Sequence, residues 1–373
     1  MKVLLACEYP SLNGGENSLL AILPLIQAKG VQAIAAVPQT GELAKAFENL
    51  GVPTYDFDLS RYKGHDKHVA KGQRLAEIVV ESKADLVHAN SLSCGRASGL
   101  VGEQLGIPSL AHLRDIIRLS KSAISDIARN STLIAVSQAT KDWYVNLGVP
   151  AEQIEVVHNG VDGQIFQPDL ECESVRHEFG LEANSQIVLS VGQIGIRKGV
   201  DTLIEAAKVV VSRLPRVRFF IVGERHSTKA EAIEYEKRLH NAAQSELLRG
   251  KVRFLGRRAD IPRLMAATTV FVHSARQEPL GRVLLEAAAT GCCVLATDVG
   301  GTNEIFPPGS RTAQVVPPDD PLNLAKNLVS LLENSEERKQ LGDNARERML
   351  QEFTLEKSAT AILEKYSQSL QRR

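Results

Sequence analysis

Short apolar runs rich in Val, Ile and Leu alternate with longer stretches in which apolar residues recur every three or four positions, from the start of the chain to its end. The short runs read as strands buried on both faces, and the longer stretches as amphipathic helices. In the first half the pattern predicts strands at Val3–Cys7, Val31–Val37, Asp85–Ala89, Ser109–His112, Thr132–Val136 and Gln153–Val157. Helices are predicted between them, among them Asn17–Ala28, His68–Ser82 and Gln138–Leu147. Strands and helices in strict alternation are the pattern of a parallel α/β sheet, and six strands suffice for one doubly wound sheet.

The stretch HNGVDGQIFQP around Asn159–Pro168 gathers Asn, Gly, Asp and Pro, a turn-rich composition that ends this first alternation and reads as an interdomain connection. A second alternation begins after it. Its strands are predicted at Ile187–Val191, Val217–Val222, Val252–Leu255, Val270–His273 and Val294–Thr297, with Ala313–Val316 as an edge. Asp320 followed by Pro321 makes an N-cap and first-turn pair for the next helix. The chain closes with an amphipathic helix over Thr354–Leu370. The predicted domains are therefore 1–165, joined by the C-terminal helix of 353–373, and 166–352. Two α/β halves with a gap between them is the least geometry this pattern requires, since ligands of open α/β sheets bind beyond the carboxyl ends of the strands.

Length and composition agree with that division. A chain of 373 residues exceeds what one hydrophobic core usually serves. With 43% hydrophobic and 24% charged residues it has an ordinary globular composition, and no segment approaches the roughly 20 apolar residues of a membrane span. Lys and Arg total 44 against 44 Asp and Glu, with neither half strongly basic, so nucleic acid is not an expected partner. The opening MKVLLAC superficially matches a lipoprotein cleavage box, but its apolar run is too short for a signal-peptide core and reads as the first strand. The five cysteines, Cys7, Cys94, Cys172, Cys292 and Cys293, have no zinc-type spacing and are expected to be free thiols in a reducing compartment.

The stretch EPLGRVLLE is the richest in candidate chemistry. Glu278 and Glu286 lie on either side of a predicted strand-to-helix junction, and a helix beginning near Gly281 puts Glu286 about one and a half turns in. Two carboxylates so placed can accept hydrogen bonds from sugar hydroxyls. The free backbone N–H groups at the start of the helix, from Leu280 through Gly281, Arg282 and Val283, suit a phosphate between them. Asn13-Gly14-Gly15 stands between the first strand and first helix, where two glycines allow a tight turn and close approach of backbone to ligand. It is not the G-x-G-x-x-G dinucleotide fingerprint, which counts against a nicotinamide oxidoreductase.

The run SARQEPLGRVLLEAAATGCCVLATDVGGTNEI resembles the donor-site signature of the family 4 retaining glycosyltransferases. VRFLGRRADIPRLMAATTVFVHS, VSQATKDWYVNLGVPAEQIEVVHNGVD, SVGQIGIRKGVDTLIEAA and SLNGGENSLLAILPLIQAKG are similar to further segments of that family in the expected order. The resemblance runs from Val3 to about Phe353. It implies the GT-B fold, two Rossmann-like α/β/α domains facing each other across a cleft, the first on the acceptor side and the second binding a nucleotide sugar.

Carried over residue by residue, the resemblance implies that Glu278 holds hydroxyls of the donor sugar, Glu286 the ribose and Lys198 the diphosphate. Many relatives carry an arginine after the first glycine of the phosphate segment, whereas Gly192 is here followed by Gln193. Either Arg197 or Arg282 could supply that missing cation. Gly15, with Gly14 before it, is implied to approach the donor phosphate or sugar. His112, at a strand end in SLAHLRD, is implied to lie near the reacting sugar, acting through its side chain or its carbonyl. His88 in LVHAN is a second candidate, and Arg114 and Asp115 either serve acceptor recognition or pair with each other. Arg257 falls in the base-contacting loop, where its backbone is expected to matter.

The reaction so implied moves a sugar from a nucleoside diphosphate to an acceptor hydroxyl with retention of configuration, in the synthesis of a glycan, glycolipid or polysaccharide. It needs no cofactor beyond its substrate, and no metal is expected. Water is excluded by closure about the connection near Asn159–Pro168. Alternatives on the same architecture are a non-catalytic nucleotide-sugar-binding protein, a phosphorylase or an epimerase. A cytoplasmic location is expected, with peripheral contact at the inner face of a membrane as a variant of it.

Overall fold

The computed structural model describes residues 1–58 and 67–371. Among these, the chain forms two compact units, one of Met1–Gly160 with the chain from Leu355 onward, the other of Val161–Thr354. The last two residues of the tail predicted as helix over 353–373 lie outside the described residues.

The first unit runs β1 (Lys2–Ala6), α1 (Gly14–Ala28), β2 (Gln32–Val37), α2 (Glu42–Asn49), β3 (Thr54–Asp56), α3 (Lys67–Ser82), β4 (Leu86–Ala89), α4 (Leu92–Leu105), β5 (Ser109–Leu113), α5 (Lys121–Ala128), β6 (Thr132–Ala135), α6 (Gln138–Asn146) and β7 (Ile154–Val156). Among the described residues its sheet has seven strands in the order β3-β2-β1-β4-β5-β6-β7, all parallel. All six predicted strands are present, and the seventh, β3, is a three-residue edge strand too short to show a period. Val3 to Ala6 and Leu86 to Ala89 are buried without interruption, because helices cover both faces. Serine side chains at the starts of α4, α5 and α6 (Ser91, Ser120 and Ser137) accept hydrogen bonds from the N–H groups of Cys94, Ala123 and Thr140, which fixes where those helices begin.

The second unit runs α7 (Glu173–Glu178), β8 (Gln186–Val191), α8 (Val200–Arg213), β9 (Val217–Val222), α9 (Ala230–Ala243), β10 (Val252–Phe254), α10 (Ile261–Ala266), β11 (Val270–His273), α11 (Arg282–Ala289), β12 (Val294–Thr297), α12 (Thr302–Ile305), β13 (Gln314–Val316), α13 (Pro321–Glu333) and α14 (Ser335–Glu352). Six parallel strands, again among the described residues, are ordered β10-β9-β8-β11-β12-β13. Val188, Phe219, Ile221, Val270 and Val272 from the sheet pack with Leu203, Ile204 and Val210 of α8 and Leu324 and Leu328 of α13 in one buried core.

Asp320 caps α13 by accepting from the Asn323 N–H at 2.9 Å. Asp320→Ala is expected to cost about 1 kcal/mol, read as a lower midpoint of thermal unfolding with the fold retained.

The tail helix α15 (Leu355–Gln371) belongs to the first unit, where Ala359, Ile362 and Tyr366 are buried with Leu19, Leu23 and Ile26 of α1. In each sheet the strand order reverses once. The reversal falls between β1 and β4 in the first unit and between β8 and β11 in the second. At such a point neighbouring loops diverge and leave a crevice beyond the strand ends, which is where α/β sheets take ligands.

Candidate functional site

The second unit places Lys198 and Glu278 at its reversal point, on the loops that leave the adjacent strands β8 and β11. Lys198 ends a short helical turn, Ile196–Lys198, and Gly199 after it takes φ +60°. A side chain at Gly199 would put a Cβ 2.0 Å from the Ser274 carbonyl oxygen, so only glycine permits the loops to meet. Ser274 Oγ donates to the Gly199 carbonyl at 2.8 Å, and the Arg276 N–H donates to the Arg197 carbonyl at 2.8 Å. These contacts stitch the two loops into one surface.

On that surface Lys198 Nζ forms an ion pair with Glu278 Oε2, and His273 Nε2 donates to the same oxygen at 3.0 Å. Glu278 is 7% exposed, and burial works to raise its pKa. The Lys198 ammonium, with the His273 hydrogen bond, overrides burial and holds the carboxyl below the usual range, so it is ionised at neutral pH. Both donors use Oε2. Oε1 has no partner among the described residues, and so remains an open acceptor on a fixed, charged side chain. The Glu278 backbone is held as well, because the Gly301 N–H donates to its carbonyl at 3.2 Å.

Glycine at 281, with φ +99°, caps α11 and lies against Glu278, since a Cβ there would come within 3.2 Å of Glu278 Cγ. Leu280 beside it is buried. Because α11 starts at Arg282, the N–H groups of Arg282 and Val283 have no helical acceptor and carry the positive end of the helix dipole. One turn on, Glu286 pairs with Arg282 at 2.8 Å. Burial raises the Glu286 pKa, and Arg282 offsets this in part.

Of the remaining candidates here, Gly192 lies beside Lys198, with the place of a Cβ 3.7 Å from Lys198 Cε. Gln193 follows it on the same loop and is half-buried. Exposed Arg197 forms no ion pair among the described residues, unlike Arg282. Arg257 is on the loop after β10, where its N–H donates to Glu224 Oε1 at 3.3 Å.

In the first unit, Gly14 and Gly15 open α1 at the β1–β4 reversal. Nothing lies within 4 Å of a Cβ at Gly14, whereas one at Gly15 would meet Arg114 Cδ at 2.9 Å. Arg114 donates to Asn90 Oδ1 and to Asn159 Oδ1, each at 3.0 Å, and its third nitrogen lies 3.2 Å from His112 Nδ1. His112, His88 and Tyr366 form a buried file: His112 Nδ1 is 2.8 Å from His88 Nε2, and His88 Nδ1 is 2.6 Å from the Tyr366 hydroxyl. Burial pushes the His88 pKa down to about 3 and lowers that of His112 well below its ordinary value, with Arg114 adding to both.

Sequence reasoning missed His273, Asn90 and Tyr366. His273 ends its strand in FVHS and His112 stands one residue before the end of SLAHL, a signal that was available. Tyr366 carried none, since its partner is 278 residues away.

A strand-order reversal here carries an ionised carboxylate, a lysine and a free helix start, groups whose chemistry suits a phosphorylated, hydroxyl-rich ligand. The first unit matches the family model described as Glycosyltransferase Family 4 over residues 12–164, and the second matches Glycosyl transferases group 1 over residues 173–348. Alpha-maltose-1-phosphate synthase of Mycolicibacterium smegmatis is 30% identical over 308 residues, 76% of this chain and 79% of that protein. N-acetyl-alpha-D-glucosaminyl L-malate synthase of Bacillus anthracis is 24% identical over 330 residues, 84% of this chain and 83% of that protein. Among solved structures, HepE of Anabaena in complex with UDP-glucose superposes with a TM-score of 0.87 at 24% identity, over 99% of this chain and all of that one. That likeness shows the fold, GT-B. The chain belongs to the family 4 glycosyltransferases, a retaining family, and transfers a sugar from a nucleotide-sugar donor. Among the described residues no helix is long and apolar enough to cross a membrane.

Proposed function

We propose that the second unit binds a nucleoside-diphosphate hexose of the UDP-glucose type, the ligand named for the HepE complex. In this reading Glu278 Oε1 accepts from hydroxyls of the transferred sugar, and Glu286 accepts from the ribose. The diphosphate lies at the start of α11, against the N–H groups around Leu280 to Val283, with Lys198 and Arg197 beside it. The Arg257 backbone meets the base. The observation that carries the reading is the geometry of Glu278, whose one oxygen is saturated by Lys198 and His273 while the other is open.

Cleavage of the glycosyl–phosphate bond leaves negative charge on the departing nucleoside diphosphate. Fixed cations and a helix dipole stabilise that charge without reorganising, and a divalent cation is not needed for it in this reading. In this reading the departing phosphate oxygen takes the proton of the acceptor hydroxyl as that hydroxyl attacks on the same face. Configuration is then retained, and the protein's part is orientation and charge. The first unit offers His112 to an oxygen of the substrate. The acceptor is a hydroxyl compound in glycan, glycolipid or polysaccharide synthesis.

The test is incubation of purified protein with UDP-, GDP- and ADP-sugars, with and without a chelator, followed by NMR of the released nucleotide and anomeric signals. Release from a UDP-sugar that survives chelation is expected. Binding without turnover on every donor would contradict the proposal.

The two arginines separate by their partners. Because Arg282 is neutralised by Glu286 and Arg197 is not, Arg197→Ala is expected to lower kcat/KM for the donor about three- to tenfold, and more than Arg282→Ala does. Steady-state kinetics on the two variants decides the order.

A further inference from the structure

We propose that His88 and Tyr366 are positioning residues that lock His112 as the tautomer carrying its proton on Nε2, so that His112 meets the substrate as a hydrogen-bond donor rather than as a base. The inference rests on the reading of His112 as a substrate contact, and it adds the state in which His112 acts and the residues that set it.

Arg114 fixes the starting point. A guanidinium donates hydrogen bonds and accepts none, so the Arg114 nitrogen 3.2 Å from His112 Nδ1 requires a lone pair on Nδ1. His88 Nε2, 2.8 Å from the same Nδ1, must then carry a hydrogen, since two bare ring nitrogens at that distance would repel. His88 is buried and neutral, and with its hydrogen on Nε2 its Nδ1 is an acceptor. The Tyr366 hydroxyl, 2.6 Å away, supplies the donor, and burial keeps that phenol protonated. The order from Tyr366 through His88 to His112 is thus set at both ends, by a phenol that holds its proton and by an arginine that never loses one. Asn90 and Asn159 hold Arg114 in place.

The outcome appears at the far side of the His112 ring. Nε2 carries the hydrogen and has no partner among the described residues, on a side chain that is 3% exposed at the carboxyl end of β5. A neutral imidazole so placed offers one directed N–H to a sugar hydroxyl or an oxygen gaining charge. His88 at Leu86–Ala89 and Tyr366 in the tail helix act only through it.

The experiment is two-bond proton–nitrogen NMR on full-length protein labelled with 15N-histidine, with signals assigned by His88→Gln and His112→Gln. His112 is expected to show a protonated-type shift at Nε2 and an unprotonated-type shift at Nδ1, and His88 the same. A protonated Nδ1 on His112 would overturn the proposal. The tautomer is read on the unaltered protein, and the folded variants serve only to assign its signals.

Kinetics supplies the second reading. His88→Ala is expected to lower kcat for transfer about tenfold, whereas His88→Gln, whose side-chain amide can place an N–H where Nε2 was, stays within about threefold of the parent. Tyr366→Phe is expected to lose severalfold and to weaken the tautomer preference of His88. Folded His88→Gln that is as slow as folded His88→Ala would contradict the relay. If His112→Ala transfers at the parent rate, the reading of His112 as a substrate contact fails, and that result is separate from the tautomer measured by NMR.

Discussion

Removing the carboxylate at 278 or the ammonium at 198 lowers transfer at least tenfold, about 1.4 kcal/mol of transition-state stabilisation or more in each case. Glu278→Ala deletes the open Oε1 acceptor, and Lys198→Ala deletes a cation beside the leaving phosphate. The two are also one buried ion pair, with side chains 9% and 13% exposed. Each single replacement therefore strands a charge, and stranding a buried charge is more damaging than removing both. The double variant Glu278→Ala/Lys198→Ala is expected to unfold at a temperature no lower than that of the less stable single variant, while its transfer rate stays at or below that of the slower one. Stability and catalysis then part, which they would not do if the pair were only structural. Transfer at the parent rate in both single variants, measured with saturating donor, would remove the site assignment.

Gly300→Ala is expected to damage the same site through the backbone. Gly300 has φ +53°, and a Cβ there would lie 1.7 Å from the carbonyl oxygen of Glu278. No rotation of a side chain relieves a clash with backbone, so the loop carrying Glu278 must move. Gly309 is the control, with φ +78° and nothing within 4 Å of its Cβ position. Gly309→Ala should cost only the strain of a left-handed conformation, about 1 kcal/mol. Gly300→Ala should cost about 2 kcal/mol more than that, a drop of at least about 4 °C in the unfolding temperature of a unit this size, together with loss of transfer. Equal unfolding temperatures for the two variants would show that Gly300 is not a close-packed position.

The alternation of apolar runs and amphipathic stretches made both sheets legible, because a parallel strand covered on both faces must be apolar throughout. Val217–Val222, Val270–His273 and Val294–Thr297 occupy the predicted positions for that reason. Strand β3 was not legible, since Thr54–Asp56 has three half-buried residues at a sheet edge and no period to detect. In the site, Glu278, Gly281 and Glu286 stood out because they follow one another on a loop and the helix after it, and Lys198 through the resemblance of its segment to the family's. The Arg282–Glu286 pair follows from its spacing of four on a helix, whereas what holds Glu278 does not follow from spacing. Its partner Lys198 is 80 residues distant and is brought near by the adjacency of β8 and β11, which only the strand order reveals. The Tyr366–His88–His112 file is harder still, because the tail helix must return to α1 before its tyrosine can meet β4.

The most direct measurement is a crystal structure of the protein soaked with UDP-glucose or another nucleoside-diphosphate sugar that the activity panel identifies. It should show a sugar hydroxyl within hydrogen-bond reach of Glu278 Oε1, the ribose on Glu286, and the diphosphate between Lys198 and the first N–H groups of α11. A donor bound with Glu278, Glu286 and Lys198 all turned away from it would contradict the account.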